Sequence, residues 1–474
     1  MRIALNNGCV LALCLGISLV GCGGGGSAPS AAGGGTSTAP TPPPPPVTTQ
    51  PPIANPVTFR AEAPISVLSG GWFYADDEVS TNTGTTEAVI FSNRNGDITY
   101  SRSGDIMSSS IKMSFTWKPD YYILSSTVDL TSGFYIGVRA PKGSTTISPV
   151  TDLIYSSKNQ EIALSALQIR DGKYASSAYV DAQNFSTPLN FESENSQDRL
   201  TAQEMAANNV RVLALASATQ LLRGGASPVV EEGPPPIDRF FKADTGLVGS
   251  FLKDNPQTRL FTTIGTKALI ESLPRDNGVA YRPKVLDAIV HLINIYADAI
   301  GPRIQSKSDA GKKMLGIKGW LSPKLMSLDL TNSPELADKM LLLTAQDARN
   351  FIDKFEPLPP PNTGRVFPQP DFFVIAPDST KIIDAVPPGW THHDTPLWWN
   401  DIYFEHHTPA GLSMPITSVS VPQAHQAAIS AALNPDQTVE VRSLNGFKGL
   451  AWFDYMVRGP NNEEKAARVF MIVE

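Results

Sequence analysis

A chain of 474 residues, 41% hydrophobic and 18% charged, holds enough apolar material for two or three domains with ordinary cores. The net charge of −7 comes without any block of Lys and Arg, which argues against nucleic acid as a partner because phosphate binding needs clustered cations. Its 40 prolines and 36 glycines gather in a few stretches, the mark of spacers and not of a fibrous repeat.

Residues 1–21 read as an export signal. Arg2 gives the positive start and the run from Val10 to Val20 the apolar core. That core is shorter than the roughly 20 apolar residues of a membrane-spanning helix. It leads into Leu19-Val20-Gly21-Cys22. A thiol placed to accept diacylglycerol, after small and apolar residues that suit a peptidase pocket, resembles the lipobox of bacterial lipoproteins. The resemblance implies cleavage before Cys22, acyl chains such as palmitate at the new N-terminus, and a membrane partner reached through that anchor. Several chains hold firmly where one is marginal. Cys9 and Cys14 would leave with the signal, so Cys22 would be the sole cysteine of the mature chain. An intrachain disulfide, a multi-cysteine zinc site and a cysteine nucleophile are then excluded. Gly23 follows in place of the Asp that resembles an inner-membrane retention signal in some Gram-negative bacteria, which points to the outer membrane or the cell surface.

Residues 22–57 form a spacer. No charged residue occurs between Gly23 and Val57; the first part is Gly-rich and flexible, the second, around Pro42 to Pro46, stiff polyproline II. At about 3.1 Å per residue it could reach on the order of 100 Å when extended. A small antiparallel β-rich module is expected over 58–155. Ile65 to Leu68, Ala88 to Phe91, Ile111 to Trp117 and Phe134 to Val138 are rich in β-branched and aromatic residues, with Asn95-Gly96-Asp97 and Ser103-Gly104-Asp105 as turns between them.

Helices are expected over 156–356. Thr201-Ala202-Gln203-Glu204 reads as a capping box that opens a helix running to Leu222. Pro283 suits a first helical turn, and Val285, Leu286, Ile289, Leu292, Ile293, Tyr296 and Ile300 follow at helical spacing. Ser333-Pro334-Glu335 and Thr344-Ala345-Gln346-Asp347 are two more start signals. The Gly- and Pro-rich stretch from Gly224 to Pro236 divides the helical region, and a second Pro-rich linker covers 357–370. Over 371–474, short strands with period-two alternation read as an antiparallel sandwich. The expected fold class is α+β and multidomain: N-terminal β module, central helices, C-terminal sandwich.

Two further resemblances bear on this plan. Ser132-Gly133-Phe134-Tyr135-Ile136-Gly137-Val138-Arg139-Ala140-Pro141, with Gly143-Ser144-Thr145 and Ser148-Pro149 after it, resembles a segment of large bacterial surface proteins and lipoproteins. There a small β module ends in an alanine-proline stretch and a serine-proline motif opens helices. The C-terminal region carries Leu397-Trp398-Trp399-Asn400-Asp401, Ile416-Thr417-Ser418-Val419, Phe447-Lys448-Gly449, Phe453-Asp454-Tyr455 and the run Ala467 to Val473. In that order and spacing they resemble the cadherin-like, Ig-like domains of bacterial surface adhesins, which implies an Ig-like β-sandwich. Calcium, which those domains bind at their joints, would fall on Asn400 and Asp401.

Five of the six histidines lie between His392 and His425. His392-His393-Asp394 and Glu405-His406-His407 set imidazoles beside carboxylates, a combination suited to Zn, Cu or Ni. Adjacent histidines on a strand point to opposite faces, so the plain alternative is loop histidines without metal. Trp398 and Trp399, with Trp390 and Tyr403, are either core or a platform for sugar rings or a partner surface. His291, among apolar helix residues, reads as a packed or boundary histidine. The sequence holds no G-x-S-x-G elbow and no H-E-x-x-H zincin motif. No cofactor is required and no catalytic residue is assigned. The expected function is a lipid-anchored structural and adhesive binding protein of the cell envelope, not an enzyme. Its expected partners are the membrane and an envelope polysaccharide or surface protein. The alternatives are a transition-metal-binding lipoprotein and a glycan-binding envelope protein.

Overall fold

The computed structural model describes residues 57–61, 69–76, 88–91, 97–100, 122–128, 135–141, 146–169, 174, 191–225, 242–274, 278, 280–358, 366–367, 370–383, 402–403, 415–459 and 462–474. The chain divides into two compact units, Met1–Pro52 and Ile53–Glu474, and the described residues belong to the second. Helices fill its middle and a mixed β region its C-terminal part, so the fold class is α+β.

The N-terminal strands are β1 (Val57–Ala61), β2 (Ser69–Asp76), β3 (Ala88–Phe91), β4 (Asp97–Tyr100), β5 (Tyr122–Val128), β6 (Tyr135–Ala140) and β7 (Thr146–Ile147). The expected strands at 88–91 and 134–138 appear as β3 and β6, whereas those at 65–68 and 111–117 lie outside the described residues. One sheet has the order β4-β1-β7, the other β3-β2-β5-β6-β8, where β8 (Lys242–Asp244) comes from the region expected to be helical. The β1–β7 and β6–β8 pairs are parallel, so the pairing is mixed where an antiparallel module was expected.

Helix α1 (Pro149–Ser157) starts where the Ser148-Pro149 motif places it, ahead of the expected boundary at 155. Ser148 Oγ accepts from the Thr151 amide at 3.3 Å, and Thr151 Oγ1 accepts from the Ser148 amide at 2.7 Å, a reciprocal cap that satisfies two orphan donors. After α2 (Gln160–Ala166) comes α3 (Ser196–Gln220), which corrects the expected start at Thr201. Asn195 is the N-cap, its Oδ1 accepting from the Gln197 amide at 2.9 Å. Thr201 lies inside the helix and returns its hydroxyl to the Gln197 carbonyl, while the buried Glu204 carboxylate meets Arg303 at 3.3 Å. Both side chains of the supposed box are thus engaged elsewhere.

Helices α4 (Gly246–Asp254), α5 (Thr263–Ser272), α6 (Pro283–Ile300), α7 (Lys307–Gly316), α8 (Ser322–Thr331), α9 (Pro334–Leu341) and α10 (Ala345–Ile352) complete the helical body. A π turn, Ile317–Leu321, joins α7 to α8 without a break. Pro323 lacks the N–H that the Gly319 carbonyl would receive in an α-helix, and the wider turn absorbs the gap. Helix α6 buries the predicted stripe. Helix α3 is different. It is buried on all sides from Met205 to Thr219, with α1, α4, α6, α7 and α8 around it. Among the described residues no helix is long and apolar enough to cross a membrane.

Beyond α10, β9 (Val366–Phe367) pairs antiparallel with β12 (Ile402–Tyr403). A four-stranded sheet has the order β10-β17-β16-β13, from β10 (Asp371–Ile375), β17 (Glu464–Val473), β16 (Gly449–Arg458) and β13 (Ile416–Ser420). A three-stranded sheet has the order β11-β15-β14, from β11 (Thr380–Ile383), β15 (Val439–Ser443) and β14 (Ile429–Leu433). Strands β10 and β17 run parallel; the other pairs of these two sheets are antiparallel. Asn445 and Gly446, both at positive φ (56° and 62°), turn β15 into β16.

Alternation along the strands builds two cores. Phe373, Phe453, Tyr455, Val469 and Met471 face the three-stranded sheet and pack with Ile383, Ile429, Val439 and Val441. Phe372, Leu450, Trp452, Phe470 and Ile472 face the other way and join the core of the helical body. Phe470 stacks on Phe372 at 5.2 Å and meets Phe355, just beyond α10, edge-on at 5.0 Å. A Cβ on Gly319 would come within 2.5 Å of the Phe355 ring, so the π turn approaches this aromatic group as closely as backbone allows. Residues on either side of the Pro-rich stretch 357–370 therefore share one core.

Candidate functional site

The residues singled out for chemistry or anchoring lie outside the described residues: Cys22, His392, His393, Trp398, Trp399, Asn400, Asp401, His406 and His407. Two other histidines are described. His291 on α6 sets Nε2 2.7 Å from the Leu343 carbonyl, a boundary histidine tying α6 to the start of the α10 loop. His425 belongs to a polar joint.

That joint is built by register. The β16–β17 ladder sets Trp452 opposite Phe470 and Asp454 opposite Arg468, all on the face turned to the helices. Arg468 donates to both Asp454 oxygens, Nε to Oδ1 at 2.7 Å and Nη2 to Oδ2 at 2.9 Å, a bidentate pair with 10% and 23% of the two side chains exposed. Its Nη1 donates to the Glu356 carbonyl at 2.5 Å, at the end of the helical body. The guanidinium also lies 5.2 Å from the centre of the Trp452 ring. Between β13 and β14, Pro422 starts a 3-10 turn, Gln423–His425, held by the His425 amide on the Pro422 carbonyl at 2.8 Å. The turn lays the His425 ring on Trp452, with centroids 3.6 Å apart and planes tilted by 53°. His425 Nε2 and Trp452 Nε1 are both buried there without a hydrogen-bond partner. Burial lowers the His425 pKa from its ordinary 6.5, with Arg468 acting in the same sense and Glu356 and Asp454 against it.

A second polar cluster lies inside the helical body. Glu204, Asn208 and Arg211 follow at helical spacing on α3, and Arg211 is fully buried. Its guanidinium donates to the carbonyls of Ala297 and Gly301 and to Asn208 Oδ1, and lies 3.9 Å from the Tyr174 ring centre. Tyr174 donates to Asp298 at 2.8 Å. Burial above all, then the bond to Asp298, raises the Tyr174 pKa, so the phenol keeps its proton. From α10, Arg349 donates to the carbonyls of Asp298 and Ala299. The last turn of α6 has no basic residue of its own. Two arginines from elsewhere serve its orphan carbonyls and its negative dipole end. This is a helix cap supplied by tertiary contact.

Neither cluster has a nucleophile beside a free base. In both, the guanidinium is saturated by acceptors of the fold itself. Among the described residues no group of three His, Cys, Asp or Glu side chains is placed to hold a metal ion. The chemistry these arrangements support is the fixing of one element against another. Sequence reasoning missed both, and only the Arg211 cluster had a local signal, the i, i+4, i+7 spacing of polar residues in a helix. Asp454 and Arg468 meet through strand register, which no local pattern spells out. Comparison with protein-family profiles, with curated proteins and with solved structures finds no match for this chain.

Proposed function

We propose that this chain is a lipid-anchored, non-catalytic binding and structural protein of the bacterial cell envelope, held at the outer membrane or cell surface through Cys22. The observation that carries this reading is Leu19-Val20-Gly21-Cys22 at the end of a short apolar run, with no cysteine after it and an uncharged spacer behind it. The C-terminal part is read as an Ig-like β-sandwich of the cadherin-like adhesin type. Supporting that reading are the four- and three-stranded sheets over a common core. The helical body covers the outer face of the four-stranded sheet. A polysaccharide or surface protein would therefore meet the edges of the sheets, with Trp398 and Trp399 as the candidate contact residues.

The test is metabolic labelling with palmitate and membrane fractionation of the full chain beside Cys22→Ser. Label and membrane association are expected in the parent and lost in the variant, with the signal left uncleaved. Equal membrane association of both would overturn the reading. Protease treatment of intact cells then separates surface display from a periplasmic position.

A further inference from the structure

We infer that His425 is an acid-operated latch: neutral, it lies on Trp452 and closes the rim where the helical body meets the four-stranded sheet; charged, its turn lifts away. In the imidazolium both ring nitrogens carry a proton, and the one on Nε2 is sealed against the indole with no acceptor. The usual compensation, a cation over an aromatic face, is already supplied to Trp452 by Arg468 at 5.2 Å, and a second cation would repel the first.

The charged groups that face the ring come from three elements. Asp454 on β16 has both oxygens turned to the Arg468 guanidinium, whose charge offsets its pull on the ring, and it is the weakest of the three charges acting there. Arg468 on β17 disfavours the imidazolium outright. Glu356, after α10, favours it, but its side chain is 66% exposed and its pull is screened by water. The turn itself, Gln423, Ala424 and Gln426, carries no other ionisable group. Burial and Arg468 together outweigh the two carboxylates, so the closed ring gives up its proton more readily than a free imidazole.

The sign of the linkage follows. A histidine released into solvent titrates near 6.5, and the closed one lower. Closure is at full strength above pH 6.5 and weakens as pH falls through the window between that value and the lowered one. Below the window it levels off.

The experiment uses the full mature chain labelled with 5-fluorotryptophan and with isotopically labelled histidine, titrated by NMR from pH 8 to 4.5. His425 is assigned from its loss in His425→Phe, and Trp452 from its loss in Trp452→Phe. A His425 midpoint below 6.5, with the Trp452 resonance shifting at the same midpoint, is expected. His425→Phe keeps a ring on the indole and removes the titration, so its Trp452 resonance should not move in that range. A His425 midpoint at or above 6.5, or a Trp452 shift that persists in His425→Phe, would overturn the proposal. If His425→Phe does not fold, His425→Gln supplies the assignment and the non-titrating comparison.

Discussion

Phe470→Ala takes away a ring that touches both halves of the body at once. The side chain is fully buried, with Phe355 at 5.0 Å, Phe372 at 5.2 Å and Trp452 at 6.0 Å. Truncation of a buried Phe costs about 3–5 kcal/mol. Aromatic pairs of this geometry add roughly 0.5–1.5 kcal/mol each, so a loss in the upper part of that range, about 4–5 kcal/mol, is expected. With a urea slope of about 3 kcal/mol per M, the midpoint should fall by about 1.5 M. Two probes report on the two halves: circular dichroism at 222 nm follows the helices, and a fluorotryptophan signal from Trp452 follows the sheet. Because Phe355 precedes the Pro-rich stretch and Phe470 lies beyond it on β17, both midpoints should drop together. A cost under about 1 kcal/mol, or a drop of the sheet signal with the helices unmoved, would show that the two halves do not share a core, and the reasoning from packing would fail.

Other outcomes follow from the same contacts. Arg211→Met should cost about 3–4 kcal/mol, because the Ala297 and Gly301 carbonyls lose a charged donor in a buried place; Arg349→Ala, at a half-buried position, should cost about half as much, and denaturant melts compare them. Asp347 accepts hydrogen bonds from its cap residue Thr344, chiefly from the side chain, and Asp436 from Thr438 in the turn between β14 and β15, chiefly from the amide, which lowers both pKa values below the ordinary 3.8. Their contribution is present above that value and lost as pH falls through the lowered ones, so thermal melts should show an acid step well below the His425 window. Zinc analysis of tag-free protein should find less than one equivalent. A stoichiometric ion that disappears in His392→Ala and His406→Ala would move the reading to a metal-binding lipoprotein.

Local signals were legible wherever a few consecutive residues complete a piece of structure. Ser148-Pro149, Ser333-Pro334 and Thr344 to Asp347 each cap the helix they announce, since cap and amide lie within one turn. Thr201 to Glu204 has the same form and starts nothing. Asn195 caps six residues earlier, and Arg303 claims the glutamate. A capping pattern states that an end is possible; whether the chain is already helical when it arrives depends on what lies before it. The strands at Ile416, Phe453 and Ala467 to Val473 were likewise visible by alternation, but the parallel placement of β10 beside β17 was not. Alternation says which residues share a face and is silent on the neighbour.

The amino-acid sequence by itself determined the α+β order of elements, the helix starts that carry their own caps and the amphipathic stripe of α6, and it supplies the Leu19-Val20-Gly21-Cys22 stretch on which the proposed address rests. Tertiary structure alone decided that α3 is buried on all sides, that the four-stranded sheet has a second apolar face under the helices, and that Arg468 reaches the Glu356 carbonyl across 112 residues. The reason is range. Caps and periodicity are satisfied within one or two turns of chain, whereas burial is a property of whatever surface arrives from far away, and the local sequence does not record which surface that will be.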